Sequence, residues 1–232
     1  MSNSVLPAPK RADQYDSGWW LASFGRLARG EAAASTATEE PFSRTAIADL
    51  CGERTLELGG VPGQPLPGTA ERASCRVVFD GILYNREELS DSLVGPSDPA
   101  RDDADLVLRA YLRWGDDVLR RLKGLFALIV WDGARDSLLC ARDPLGIYPL
   151  FYAEAGGDLL FSTSTEALVR HPGVSGSVNR AAIADFLVSR FPALDETFFE
   201  AVKRVPPGHA MRIAGASRTV YRYWDPHPRV LR

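Results

Sequence analysis

The sequence predicts an α+β fold, and three observations carry that prediction. Strand and helix patterns come in separate runs instead of alternating. The apolar period changes from helical to two-residue at Gly124. From there to residue 164, short apolar runs bounded by Gly and Pro follow one another, as antiparallel strands do.

Taken in order, residues 1–17 are polar and punctuated by proline, which predicts a loose arm. "WWLASFGRLA" (19–28) is the first strand, "GEAAASTATEEP" (30–41) a loop and "RTLELGG" (54–60) a short strand. The prolines of "VPGQPLPGTAERA" (61–73) predict a turn-rich connection without regular pairing. "SCRVVFD" (74–80) is a strand that ends in a tight turn at "FDGILYN", where Asn85 and Glu88 have capping-box spacing for the helix "REELSDSL". The strongest helical signal is "DDADLVLRAYLRW" (102–114). There Leu106, Val107, Ala110, Tyr111 and Trp114 share one face, and Asp102 or Asp103 is placed to cap it. "DDVLRRL" (116–122) adds another turn or two.

Four strands in meander order follow: 124–132, 137–143, 148–154 and 158–164. The nearly unbroken apolar run 125–131 predicts a strand covered on both faces. A helix over 179–190, capped by Asn179, and strands over 208–214 and 218–224 complete the chain.

Composition narrows the function classes. The 232 residues are 45% hydrophobic and 25% charged, enough for one sizeable core. Net charge is −3 and the basic residues are scattered, so neither nucleic acid nor an anionic membrane is an expected partner. No signal-peptide core or membrane span is recognisable, which makes the cytoplasm the expected compartment. Cys51, Cys75 and Cys140 form no CxxC pair and read as reduced core thiols. His171, His209 and His227 share no ligand spacing, so no metal site is expected. Phosphate-cradling glycine loops and a GxSxG elbow are also missing. The acidic pairs at 39–40, 87–88, 102–103 and 116–117 read as helix starts or solvated faces.

The order and spacing of "DGILYNREEL", "DADLVLRAYLRWG", "LKGLFALIVWD", "ARDPLGIYPLFY", "FSTSTEALVRHP", "TFFEAVKRVPPGHAMRI" and "YRYWDP" are specific in combination. Over residues 74–226 they resemble the N-terminal class II glutamine amidotransferase domain of the asparagine synthetase superfamily. That resemblance implies an Ntn-hydrolase-like α/β/β/α sandwich built on two antiparallel sheets. It also implies a nucleophilic cysteine at the chain start in a motif CGIFG, whose own α-amine acts as base. The oxyanion would be held by NGEIYN, and the amino-acid end of glutamine by the Arg of RHRGPD and an Asp at a helix start.

Carried over residue by residue, CGIFG falls on "LASFG". This puts Leu21 at the nucleophile position, behind twenty preceding residues. NGEIYN falls on "DGILYN": Gly81 is retained, while Asp80 and Ile82 replace Asn and Glu. RHRGPD has no counterpart in residues 30–73, and the helix-start Asp matches Asp103. Ser17 and Ser23 are alternative nucleophiles, with Ser23 reading as a core hydroxyl.

The expectation is therefore a vestigial site with no catalytic residue, in a domain spanning 18–226. The glutaminase-dead subgroup it resembles includes β-lactam synthetase and the lasso-peptide cyclases. There a second domain adenylates a carboxylate with ATP and Mg2+, and the N-terminal domain is a scaffold. The resemblance thus implies a C-terminal or separate ATP-pyrophosphatase synthetase domain as partner, with residues 227–232 starting the linker to it. It implies no cofactor in this chain, leaves homo-oligomerisation open, and makes the complete enzyme an ATP-dependent carbon–nitrogen ligase. A stand-alone binding or regulatory module and a working amidotransferase are the alternatives. The pair Trp19–Trp20 beside the old nucleophile position is either a plug for the pocket or ordinary core packing.

Overall fold

The computed structural model describes residues 20–26, 43–50, 54–60, 66–93, 100–190 and 193–226. The predicted arm 1–17, the loop 30–41, Trp19, Cys51 and the linker 227–232 lie outside them. Twelve strands among the described residues form two six-stranded sheets in which every pairing is antiparallel. The first sheet contains β1 (Trp20–Arg26), β2 (Ser43–Leu50), β3 (Arg54–Gly60), β8 (Phe151–Ala155), β9 (Asp158–Ser162) and β10 (Val202–Arg204), in the order β10-β8-β9-β1-β3-β2. The second contains β4 (Gly68–Arg72), β5 (Cys75–Leu83), β6 (Gly124–Asp132), β7 (Ser137–Arg142), β11 (His209–Ala214) and β12 (Ser217–Arg222), in the order β12-β11-β7-β6-β5-β4.

Side-chain alternation along the strands sorts the core into layers. Trp20, Ala22 and Phe24 of β1 meet Val78, Ala127, Ile129, Trp131 and Cys140 in a buried cluster between the sheets. The opposite faces of β5, β6 and β7 pack against helices α1 (Arg86–Leu93), α2 (Asp103–Trp114) and α3 (Val118–Arg121). The outer face of the first sheet covers α4 (Thr165–Val169) through Ala153, Leu160 and Leu168. A fifth helix, α5 (Arg180–Leu187), follows. β6 contributes Phe126, Leu128 and Val130 to the helix side and Ala127, Ile129 and Trp131 to the intersheet side, so both of its faces are covered as expected.

Helix α2 begins where Asp102 accepts the Asp105 N–H at 2.9 Å, so Asp102 is the cap and Asp103 the first helical residue. It ends at Gly115 (φ +57°), whose N–H donates to the Tyr111 carbonyl. In α5 the predicted Asn179 cap accepts the Ala182 N–H at 3.1 Å.

Four expectations need correction. The connection 61–73 contains β4: past Pro67 the backbone is free to pair, and as an edge strand β4 needs a partner on one side only. The four strands after residue 124 do not form one meander. β6 and β7 stay in the second sheet while β8 and β9 join the first, because the chain crosses between sheets over residues 143–150. Asn85 and Glu88 make no true capping box. The Asn85 amide accepts the Lys123 N–H at 3.0 Å and donates to the Arg121 carbonyl at 2.9 Å and to the Glu88 carboxylate at 3.4 Å, tying the start of α1 to the end of α3. Finally, β2, β10 and α4 are elements that the apolar patterning did not reveal.

Candidate functional site

Asp80 lies on β5, on the same face as the intersheet residue Val78 and opposite Ala127. The Trp20 indole Nε1–H donates to Asp80 Oδ2 at 2.5 Å, and the Tyr148 hydroxyl donates to Oδ1 at 2.7 Å. Each carboxylate oxygen therefore faces a neutral donor from a different part of the chain, and Asp80 itself only accepts. Beneath Trp20, the fully buried Ser162 hydroxyl donates to the Trp20 carbonyl and accepts the Ser164 N–H at 3.0 Å.

The crossover loop sets the position of Tyr148. Asp143, with no exposed surface, accepts the backbone N–H groups of Leu145 (3.1 Å), Ile147 (3.2 Å) and Tyr148 (2.8 Å). The Arg142 guanidinium donates to three carbonyls, those of Tyr148 (2.6 Å), Gly146 (2.5 Å) and Val205 (3.2 Å). Burial, with Arg204 nearby as a second cause, brings Arg142 down to about 10, against the pull of Asp143. Tyr223 donates its hydroxyl to the Arg142 carbonyl at 2.6 Å. Burial and nearby Asp143 push the Tyr223 phenol well above its ordinary range. In "RDPLGIYPLFY", Arg and Asp thus serve to hold the loop that presents Tyr148.

The site residues named from sequence fall into separate places. Leu21 faces away from Asp80, packing with the α4-side cluster, because it alternates with the intersheet residues Trp20 and Ala22. The β1 side chain that reaches Asp80 is Trp20, which is buried in the intersheet core, while Trp19 lies outside the described residues. Ser23, two residues on from Leu21, lies on that same outward face. Gly81 (φ +151°) is forced by β6: a Cβ there would lie 2.1 Å from the Leu125 carbonyl oxygen. On β6, opposite Leu83, a Cβ on Gly124 would lie 2.2 Å from the Ile82 oxygen. Ile82 is 39% exposed at the end of the intersheet face. Asp103 pairs with Arg86 at the start of α1, and no bond or ion pair among the described residues links it to Asp80.

Two further features bear on chemistry. Burial, reinforced by Asp132, pushes the Cys75 thiol up to about 11, and burial alone pushes Cys140 well above its ordinary value; both are free and buried. No group of three or more His, Cys, Asp or Glu side chains converges as a metal site among the described residues. Sequence reasoning missed Tyr148 altogether. The signal that could have found it is the run of polar and aromatic residues "RDPLGIY", which is costly to bury unless its groups bond one another.

Comparison with known proteins agrees with this architecture. A family model described as "Glutamine amidotransferase domain" matches residues 41–224. "Asparagine synthetase [glutamine-hydrolyzing] 3" of Bacillus subtilis (strain 168) is 31% identical over 183 residues, covering 76% of this chain and 30% of that protein. "Putative asparagine synthetase [glutamine-hydrolyzing]" of Mycobacterium tuberculosis (strain ATCC 25618 / H37Rv) is 31% identical over 195 residues, covering 80% of this chain and 28% of its own length. The chain therefore spans less than a third of the curated relatives it matches. Among solved structures, "Structure of the allosteric regulatory enzyme of purine biosynthesis" superposes with a TM-score of 0.50 at 12% identity, over 91% of this chain and 44% of that one. With its two antiparallel sheets between helices and this family match, the chain has an Ntn-hydrolase-like α+β sandwich and belongs to the class II glutamine amidotransferase domain family of asparagine synthetase homologues.

Proposed function

We propose that this domain no longer hydrolyses glutamine and serves as the scaffold half of an asparagine synthetase-like, ATP-dependent amide-forming ligase. The observation that carries the reading is the Trp20–Asp80–Tyr148 contact. A glutaminase needs a nucleophile with its base, and an oxyanion donor beside them. At the matching positions this chain has the hydrocarbon of Leu21 and the carboxylate of Asp80. Asp80 would repel a developing oxyanion where an amide would hold it. The indole and the phenol are both engaged with Asp80, and neither is a thiol or an amine.

In this reading a synthetase domain, joined or separate, binds ATP and Mg2+ and activates the carboxylate, and no residue of this chain takes part in that chemistry. The length of the relatives supports such a partner, since more than two thirds of each lies beyond the matched region. A second reading, a working glutaminase, draws on the words "glutamine-hydrolyzing" in the names of those relatives.

One assay separates the two. The purified chain incubated with glutamine is expected to release no glutamate above the uncatalysed background. The double substitution Asp80→Asn with Ile82→Glu is expected to stay equally silent, because neither change supplies a thiol. Saturable glutamate release by either protein would overturn the proposal.

A further inference from the structure

A second concavity lies away from Asp80, where the β8–β10 edge of the first sheet meets β11 and β12 of the second. It is a cleft of about 270 Å³ lined by Tyr152, Asp195, Arg204, His209, Val205 and Met211. Pro206 and Val220 also line it and supply its apolar surface, with Val205 and Met211 fully buried behind them. The polar residues at the rim keep unused bonding capacity. Arg204 lies over the Phe151 ring at 5.6 Å but pairs with no carboxylate among the described residues. Its backbone N–H donates to the Asp195 carbonyl at 2.8 Å, yet the two side chains form no ion pair. The Tyr152 hydroxyl has no hydrogen-bond partner among the described residues. His209 uses only Nδ1, against the Pro207 carbonyl at 2.7 Å.

An apolar floor with a few convergent, unsatisfied polar groups is the usual make-up of a small-molecule site. The volume falls just below the roughly 300–1,000 Å³ common for such sites, which limits the ligand to about the size of an amino acid. An unpaired guanidinium and an unpaired carboxylate on one rim fit a ligand carrying both charges.

We propose that this cleft binds a free α-amino acid with an aliphatic side chain. Arg204 and Tyr152 take its carboxylate, Asp195 its ammonium group, and Pro206 and Val220 the side chain. This site is independent of Asp80 and of the scaffold reading.

The test uses the full 232-residue chain and leucine, titrated by calorimetry and followed by amide NMR shifts. Two truncated probes accompany it: 4-methylpentanoate, which lacks the ammonium, and 3-methylbutylamine, which lacks the carboxylate. Leucine is expected to saturate, with 4-methylpentanoate about threefold weaker, since the exposed Asp195 pairs weakly, and 3-methylbutylamine at least about tenfold weaker, since the half-buried Arg204 then lacks its partner. Arg204→Met is expected to weaken leucine by a similar factor and Tyr152→Phe by about threefold, the effect of one neutral hydrogen bond. Three results would each overturn the proposal: no saturation by leucine, equal binding of leucine and 4-methylpentanoate, or unchanged affinity in a folded Arg204→Met protein. Should Arg204→Met lose its fold, Tyr152→Phe decides, and unchanged affinity there rejects the site.

Discussion

Asp80 accepts hydrogen bonds from residues 60 positions before it and 68 positions after it. A carboxylate turned between two sheets stays there only if its oxygens find donors, and Trp20 and Tyr148 supply them. Bonds to charged groups contribute about 1.5–3 kcal/mol, with the low end suited to a half-buried acceptor. Tyr148→Phe is therefore expected to lower unfolding free energy by about 1.5 kcal/mol. The same change in an Asp80→Asn background should cost clearly less. Urea denaturation of the four proteins measures the coupling, and additive losses would show that the Tyr148–Asp80 bond contributes nothing. At this scale the sequence was partly legible. Aligning "DGILYN" located Asp80 and the loss of its amide, but nothing local to residue 80 announced an indole and a phenol so distant in the chain.

Among the elements, α2 shows how a buried charge is kept. The Asp105 side chain is 2% exposed, and its Oδ2 accepts from Arg109 Nη2 at 2.9 Å, from Nε at 3.1 Å and from the Arg101 N–H at 3.1 Å. Burial raises the Asp105 carboxyl, but these hydrogen bonds and the attraction of both arginines outweigh it and hold it below the ordinary carboxylate range. Because the folded value is depressed, the stabilisation is complete above the unfolded carboxylate value near 3.8. It is lost as pH falls from there through the folded value. Asp105→Asn is expected to cost about 3 kcal/mol at neutral pH by removing the buried charge that Arg109 bonds. The variant should also lose part of the acid-side decline, and equal slopes of stability against pH between 6 and 2 would refute the assignment. Helix α2 was readable because its apolar spacing, its Asp cap and its terminal glycine agree. β4 was not, because a proline-rich approach concealed a short edge strand.

For the whole molecule, the central strands β6 and β7 are buried along most of both faces, but α5 is nearly uncovered. Leu187 is 76% exposed and Phe186 62%, with Val188, Leu194 and Phe198 exposed nearby, and Phe186 meets Phe198 edge-on at 5.4 Å. Side chains that bury little area add little to folding. The double substitution Leu187→Ser and Val188→Ser is expected to change stability by less than about 1 kcal/mol, a shift of roughly 2–4 °C in Tm for a chain of this size. Binding of a hydrophobic-surface dye should fall at the same time. A larger drop in Tm would mean that these residues belong to the core. No helix among the described residues is long and apolar enough to cross a membrane, so this apolar surface is not part of a helical span.

By itself the sequence determined where most strands and helices lie, that β6 is covered on both faces, and that an acid stands where the family motif has an amide. Those properties are local: they follow from periodicity, from caps and from the identity of single residues. Tertiary structure alone decided that β7 and β8 belong to different sheets and that Leu21 and Trp20 face opposite ways. It also decided that Asp80 is bound by an indole and a phenol. Sheet membership turns on a chain crossover held by Arg142 and Asp143 through backbone groups, and hydrogen bonds to a backbone leave no periodic trace in a sequence.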